Sequence, residues 1–389
     1  MCPRYDNNGF EIGTLENTEW TLNQFIKSWP EEFILDLQKI LACGNFGDPC
    51  ACREFVDIYE YCREVSPRIG LCLNTNASLR TPDWWHRLGS VLREEQHHGN
   101  YCTFSLDGLE DTNHIYRRGT DWSKIMENAR AYIEAGGIAH WDFIAFEHNQ
   151  HQVEEARELA KKMGFHNFNV KRTTRWRSYH DGQGHYPVYH KGKHLYDLKQ
   201  PIEEQFKHNF EEASYFKQSK YQSITMDDFA SMTGQINSEH RNVKGEWQTI
   251  ELTDLSIACR AVRDARQHQP YNEIYISAGG TVAPCCFLGS EPFIDPNSRR
   301  DENYISMIEA QGGLEKLNMH KHNIYEILNL DIFRKWIPNT WEVDGNKSMR
   351  PAKCGQCCGI EFNSLDYGEL GNKKDAYFEG KDPEFKGKK

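Results

Sequence analysis

The sequence predicts an α/β protein: a parallel sheet or barrel of βα units, then a smaller unit containing a β-hairpin. Three observations predict it. From about residue 15 to 180, short apolar runs alternate with stretches of helical periodicity. The loops that follow the predicted strands hold unusual Gly, Asn and Asp residues, and parallel βα folds build their sites at those strand ends. Beyond about residue 248 the pattern changes to a hairpin signal and grouped cysteines.

Lys39 to Cys43 reads as a strand ending at Gly44. Phe55, Val56, Tyr59 and Cys62 then share one helical face. Ile69 to Leu73 reads as a strand ending at Asn74-Thr75-Asn76, followed by a helix carrying Trp85, Leu88, Val91 and Leu92. Tyr101 to Leu106 is the next strand and stops at Asp107-Gly108. Trp122, Ile125, Met126, Ala129, Tyr132 and Ile133 repeat at helical spacing until Gly136-Gly137 stops them. Trp141 to Phe146 is a strand. Val153, Ala156, Leu159, Ala160 and Met163 line a helix with Lys161 and Lys162 in its last turn and Gly164 as its cap. Phe168 to Val170 is the last strand of the series.

Residues 1–180 are therefore one domain. Residues 181–247 are polar and rich in His, Lys and Gln, and read as a connecting region with local helices, such as one around 226–233. Residues 248–365 form the second unit. Its hairpin is Ile274-Tyr275-Ile276-Ser277, a turn at Ala278-Gly279-Gly280-Thr281, and Val282-Ala283. The Lys-, Gly- and Asp-rich tail, 366–389, reads as flexible.

The 389 residues, 38% apolar and 12% aromatic, supply a core for one large domain or two ordinary ones. A net charge of −11, from 46 basic and 57 acidic residues, argues against general nucleic-acid binding. No apolar run reaches about 18 residues, so no membrane partner is expected. Met1-Cys2-Pro3-Arg4-Tyr5-Asp6 has no apolar signal core, which gives a cytoplasmic reading. In that reducing compartment, 13 cysteines read as core residues or metal ligands rather than disulfides.

Six cysteines fall in the second unit. Cys285 and Cys286 follow the hairpin, Cys354, Cys357 and Cys358 form a C-x2-CC cluster, and Cys259 lies upstream. A C-x2-C turn curls round one ion, and two thiolates from distant loops complete a four-sulfur site for zinc or an iron–sulfur cluster.

The first unit resembles the radical S-adenosylmethionine (SAM) superfamily. Gly44-Asn45-Phe46-Gly47-Asp48-Pro49 looks like its Gly-Gly-Glu-Pro motif, Leu73-Asn74-Thr75-Asn76 its Ser-Thr-Asn-Gly stretch, and Phe104-Ser105-Leu106-Asp107-Gly108 its Ser-Leu-Asp-Gly stretch. His114 to Gly119 resembles the following His-Asp-x-x-Arg-Gly segment. Gly280-x4-Cys285, with Cys259 before it and Cys354-x2-Cys357 after it, is similar to the SPASM and twitch domains of that superfamily. The resemblance implies a partial (β/α)6 TIM-like barrel lacking its first strand, plus a small α+β twitch domain.

For cofactors it implies SAM, the superfamily's 4Fe–4S cluster and one auxiliary 4Fe–4S cluster. SAM would lie against Gly44, Asn45, Gly47, Asp48, Asn76, Ser105, Asp107 and Arg118, with Asp48 or a polar neighbour and loop carbonyls at its amino group and Arg118 at its carboxylate. Cys259, Cys285, Cys354 and Cys357 would hold the auxiliary cluster, with Cys286 and Cys358 as alternative ligands. Cys2 matches the third cysteine of the superfamily's C-x3-C-x2-C motif, of which the first two are absent from the sequence. A start upstream of Met1, a degenerate relative that only binds, and a coincidence at Cys2 each account for this.

The implied chemistry is reductive cleavage of SAM and hydrogen abstraction from a peptide or small molecule, fed by an electron donor such as flavodoxin or ferredoxin. No catalytic side chain is assigned. The rival reading is an inactive protein with a zinc or iron–sulfur site that binds a peptide or protein partner. Lys171-Arg172-Thr173-Thr174-Arg175-Trp176-Arg177 reads equally as an anion-binding segment and as a solvated loop. Glu147-His148-Asn149 marks another strand-end contact, whereas His180, His185, His190 and His194 read as surface histidines.

Overall fold

Two short helices, Leu22–Ser28 (α1) and Glu31–Asp36 (α2), precede the predicted alternation. Thr21 and Gln24 form a reciprocal capping box that starts α1. The alternation then follows as expected: Lys39–Cys43 (β1), Phe55–Val65 (α3), Gly70–Thr75 (β2), Pro82–Val91 (α4), Tyr101–Ser105 (β3), a short turn of helix at Asn113–Tyr116 (α5), Trp122–Glu134 (α6), Ala139–Ile144 (β4), Val153–Met163 (α7) and Asn167–Lys171 (β5). Asp121 caps α6, and Gly164, at φ +90°, closes α7 in the left-handed conformation that glycine adopts without strain.

This computed structural model describes residues 4–15, 17–93, 99–171, 185–207, 214–215, 239–241, 247–249, 256–257, 273–293, 301–341, 345–354 and 359–360. The chain divides into two units, Met1–Asp227 and Asp228–Lys389. Among the described residues no helix is long and apolar enough to cross a membrane.

β1 to β5 lie in chain order in one sheet and are all parallel. The register sorts their side chains onto two unlike faces. On one, Leu71, Leu73, Cys102, Phe104, Trp141, Phe143 and Phe168 are fully buried. The helices cover this face: Trp85 packs 5.5 Å from Phe104, Tyr132 5.7 Å from Phe104, and Phe165 5.3 Å from Trp141. Each such large side chain contributes about 1.5–3 kcal/mol on burial. A Cβ on Gly89 of α4 would lie 2.4 Å from the Tyr132 carbonyl oxygen, so glycine sets how closely α4 approaches α6.

The other face is polar. One row across it runs Cys43, Asn74, Thr103, His140 and Asn167, and the next runs Ser105, Asp142 and Asn169. Parallel sheets ordinarily bury both faces in apolar contacts. Here one side is a core and the other carries hydrogen-bonding groups.

The region 181–247, expected to connect the two units with local helices, also contains a β-hairpin, His185–His190 (β6) and Lys193–Lys199 (β7). Lys191 and Gly192 turn it with φ +48° and +80°, the two positive values of a type I′ turn. A single helical turn, Glu204–Lys207 (α8), and an antiparallel strand, Ser214–Tyr215 (β8), which pairs with β5, complete the described part of this unit. The helix expected around 226–233 lies outside the described residues.

In the second unit, Glu239–Arg241 (β9) pairs with Trp247–Thr249 (β10). After Ser256–Ile257 (β11) comes the predicted hairpin, Tyr275–Ile276 (β12) and Val282–Ala283 (β13), with Gly280 at φ +82° in its turn. Helices follow, the first two being Cys286–Ser290 (α9) and Glu302–Ala310 (α10), and Gly359–Ile360 (β14) pairs with β11.

Candidate functional site at the strand ends

The loop after β1 is a tight turn. A Cβ on Gly44 would meet the Gly47 carbonyl oxygen at 1.8 Å, so only glycine lets the chain double back here. Gly44 and Gly47 are exposed, and Asn45 is half-buried. Asp48 ties this loop to the end of β2. Its Oδ1 accepts from the Cys50 N–H at 2.9 Å and the Thr75 hydroxyl at 2.8 Å, and its Oδ2 accepts from the Asn76 N–H at 3.0 Å. Both Asp48 oxygens are thus engaged by the chain's own donors, which fixes the carboxylate beside the Gly44–Gly47 turn. Asn76 is half-buried, and its carbonyl oxygen accepts from the Ser78 N–H at 3.0 Å, an Asx turn.

Asp107 and Arg118 sit in different surroundings. Asp107 has no exposed surface. Arg117, not Arg118, donates Nε to its Oδ2 at 2.5 Å, and the Ile144 N–H donates to its Oδ1 at 2.6 Å. Burial pushes the Asp107 carboxyl up, against the pull of Arg117 and the Ile144 N–H. Its backbone is held as well: its N–H donates to Asn113 Oδ1 at 2.9 Å, and its carbonyl accepts from Asn149 at 2.9 Å. Asp107 therefore locks the β3 loop, α5 and the end of β4 together. Gly108 beside it sits at φ +141°, where a Cβ would be 2.2 Å from the Thr112 hydroxyl oxygen. Arg118, the residue after Arg117, is exposed.

Ser105, half-buried at the end of β3, stands beside Asp142 in register. Asp142 accepts from Asn169 at 2.9 Å and pairs with Lys171, the last residue of β5. On the row below, His140 stacks on Tyr101 at 5.0 Å, and Lys39 lies 5.3 Å over the Tyr101 ring. Burial first, and then His166, hold the His140 imidazole down at about 4. This polar row was missed in reading the sequence. Its signal was present: His140-x-Asp142 and Asn167-x-Asn169-x-Lys171 place polar groups at every second strand position.

After β4, Asn149 is fully buried and clamps its own loop, accepting from the Phe146 N–H at 2.7 Å. His148 stacks on Phe146 at 5.2 Å. Its Nε2 is buried with no hydrogen-bond partner, and burial holds its imidazole down at about 4. Of Lys171 to Arg177, only Lys171 lies within the described residues.

In the second unit, Cys285 is half-buried just ahead of α9, and Cys354 is buried. A buried acidic pair fixes the residue before Cys354. Asp301 accepts from the Lys353 N–H at 2.8 Å, while Glu291, just past α9, lies 3.4 Å from Lys353 Nζ and accepts from the Asp301 N–H at 2.8 Å. Cys2, Cys259, Cys357 and Cys358 lie outside the described residues. Among the described residues no group of three or more His, Cys, Asp or Glu side chains is arranged to hold a metal ion. Cys50, Cys62, Cys72 and Cys102 are fully buried thiols of the first unit. Burial pushes Cys62 up to about 12 and Cys72 to about 11, so they serve as protonated core residues.

No protein-family model and no curated protein match the chain. Among solved structures it is similar to Streptococcus suis SuiB bound to S-adenosylmethionine, at 12% identity and TM-score 0.45, over 93% of this chain and 70% of that one. It is also similar to native anSMEcpe with bound AdoMet, at 12% identity and TM-score 0.43, over 98% of this chain and 95% of that one. Archaeal TYW1 matches at 10% identity and TM-score 0.27, over 34% of this chain and 42% of that one.

Proposed function

We propose that this chain is a radical SAM enzyme. Its first unit, a partial (β/α)6 barrel, binds SAM at the strand ends and on the polar sheet face. Its second unit is a twitch domain with one auxiliary 4Fe–4S cluster on Cys259, Cys285, Cys354 and Cys357. One observation carries the reading. The segments on which the resemblance rests follow three consecutive parallel strands, in the resemblance's order, and sit beside a sheet face lined with polar side chains.

The residues fit SAM in part. The turn at Gly44–Gly47 is exposed and lined by backbone, which suits an ammonium group, and Asn45 flanks it. Asp48, held in place by Thr75 and Asn76, is the acidic side chain beside that turn. Ser105 and Asp142 offer a hydroxyl and a carboxylate to ribose hydroxyls. Arg118, exposed past the Asp107–Arg117 pair, is the guanidinium available to a carboxylate. Arg4, two residues after Cys2, donates to the Phe46 carbonyl at 2.9 Å, which ties the start of the chain to the β1 loop. For the second site, the Glu291–Asp301–Lys353 contacts hold the backbone beside Cys354 in one geometry, as a thiolate ligand requires.

The bound cofactors would supply one-electron cleavage of SAM and removal of a hydrogen atom from a peptide or small-molecule substrate. The protein supplies positioning and exclusion of water. Flavodoxin or ferredoxin fits the electron-donor role, and the cytoplasm fits the compartment.

The test is anaerobic reconstitution with iron and sulfide, then metal analysis and incubation with SAM and dithionite. About four irons and no zinc per chain, lost on Cys354→Ala and Cys357→Ala, are expected for the auxiliary cluster. One zinc per chain overturns it. In a preparation carrying a complete C-x3-C-x2-C motif, 5′-deoxyadenosine is expected, and a full iron load without that product overturns the enzyme reading.

A further inference from the structure

The β6–β7 hairpin is anchored to the loops at the strand ends. The Tyr196 hydroxyl donates to the Ile115 carbonyl in the β3 loop. The Glu147 N–H, just past β4, donates to the Lys199 carbonyl at 3.2 Å, and the Lys199 ammonium lies 3.3 Å from the Glu147 carboxylate. At the far end of the hairpin, the Lys191 and Gly192 N–H groups donate to the carbonyls of Gly9 and Asn8 at 3.2 and 2.8 Å. Those residues form the tip of a small N-terminal hairpin bridged at Tyr5 and Glu11. Arg4, at its base, reaches the β1 loop through Phe46. The two hairpins thus make one strap joined to the loops after β1, β3 and β4.

The outward chemistry of this strap differs from that of the protein as a whole. Lys191 and Lys193 are exposed. Neither has a carboxylate partner among the described residues. The carboxylates around them are engaged: Glu11 with Arg4, Glu147 with Lys199, Asp197 with His194, and Asp6 with the Asn8 and Phe10 N–H groups. Next to the cations, Tyr5 and Phe10 are each 49% exposed and Leu195 is 38% exposed, so the patch is apolar as well as basic. A Cβ on Gly192 would lie 3.5 Å from the Phe10 ring, which puts that ring at the hairpin turn.

We infer that this strap is the docking surface for an acidic peptide segment carrying an apolar side chain, delivered to the mouth of the strand-end site. Cations left without partners on a chain of net charge −11 favour a negative partner locally, while the rest of the surface repels it and so sets its place. Two cations are too few for a nucleic-acid backbone, and exposed apolar rings are what a peptide side chain covers. The inference rests on the proposed function only in taking the docked peptide to be the substrate.

Binding is measured on the full chain without cluster or SAM, so that failure of the radical SAM reading, which shows in iron and 5′-deoxyadenosine, remains separate. The probe is a short fluorescein-labelled peptide of Glu and Asp with a central Phe, followed by anisotropy at low and high salt. Binding is expected at low salt, weakened by added salt and weakened about tenfold by Lys191→Glu with Lys193→Glu. The equal charge change Lys161→Glu with Lys162→Glu, on the last turn of α7, is expected to leave it unchanged. Equal loss in both double variants, absence of binding, or tighter binding of an oligonucleotide of the same charge overturns the inference.

Discussion

The Asp107 carboxylate, held by Arg117 and the Ile144 N–H with none of its own surface exposed, fastens the chain to itself at the strand ends. Asp107→Asn keeps the shape and removes the charge, leaving Arg117 beside a neutral amide. Removing one partner of a buried pair costs about 3–5 kcal/mol. Urea unfolding should show a loss of that order, while Arg118→Ala, at an exposed position, should stay within about 0.5 kcal/mol of the parent. Equal losses would mean that Asp107 is not the lock. The Ser-Leu-Asp-Gly segment was legible as a strand end because its turn residues are local. Its Arg117 partner was not, because the choice between neighbours 117 and 118 depends on the path of α5. The donors that hold Asp48 were not legible for the same reason, since Thr75 and Asn76 come from the end of the next strand.

The strands and helices of the first unit were legible because each carries its own period, and the caps at Gly164 and Asp121 are local chemistry. The β6–β7 hairpin was not. Its Tyr186-x-Val188 alternation and Lys191-Gly192 turn were hidden in a run of His and Lys that reads as polar connector. Its buried face, marked by Leu198 at 2% exposure, is buried by loops of the first unit rather than by its own residues. A strap held by few contacts opens independently of the sheet it spans. Gly192→Val forces a branched side chain into φ +80°, at a cost of about 1–3 kcal/mol. Hydrogen exchange should quicken across 185–199 and stay unchanged in β2 to β4. Faster exchange throughout the sheet would show that the hairpin is part of the core instead.

At the scale of the molecule, the polar sheet face gives the fold an acid sensitivity that an apolar face would not have. His140 and His148 are held at about 4 in the fold, chiefly by burial, against about 6.5 when unfolded. Between those values the unfolded chain takes up protons that the folded chain does not, so stability falls as pH drops from about 6.5 and the loss is complete below about 4. From pH 8 to pH 5 His140 accounts for about 2 kcal/mol of that loss, and the less buried His148 adds a smaller part in the same direction. His140→Gln keeps a polar group on the face but cannot take up the proton. Its unfolding free energy should therefore change about 2 kcal/mol less over that interval than that of the parent, whatever its stability at pH 8. The comparison is made by urea titration at both values. A curve parallel to the parent's would place His140 in water in the folded protein, and the face that carries Asp142 and Lys171 would then be an open surface rather than a sheltered wall.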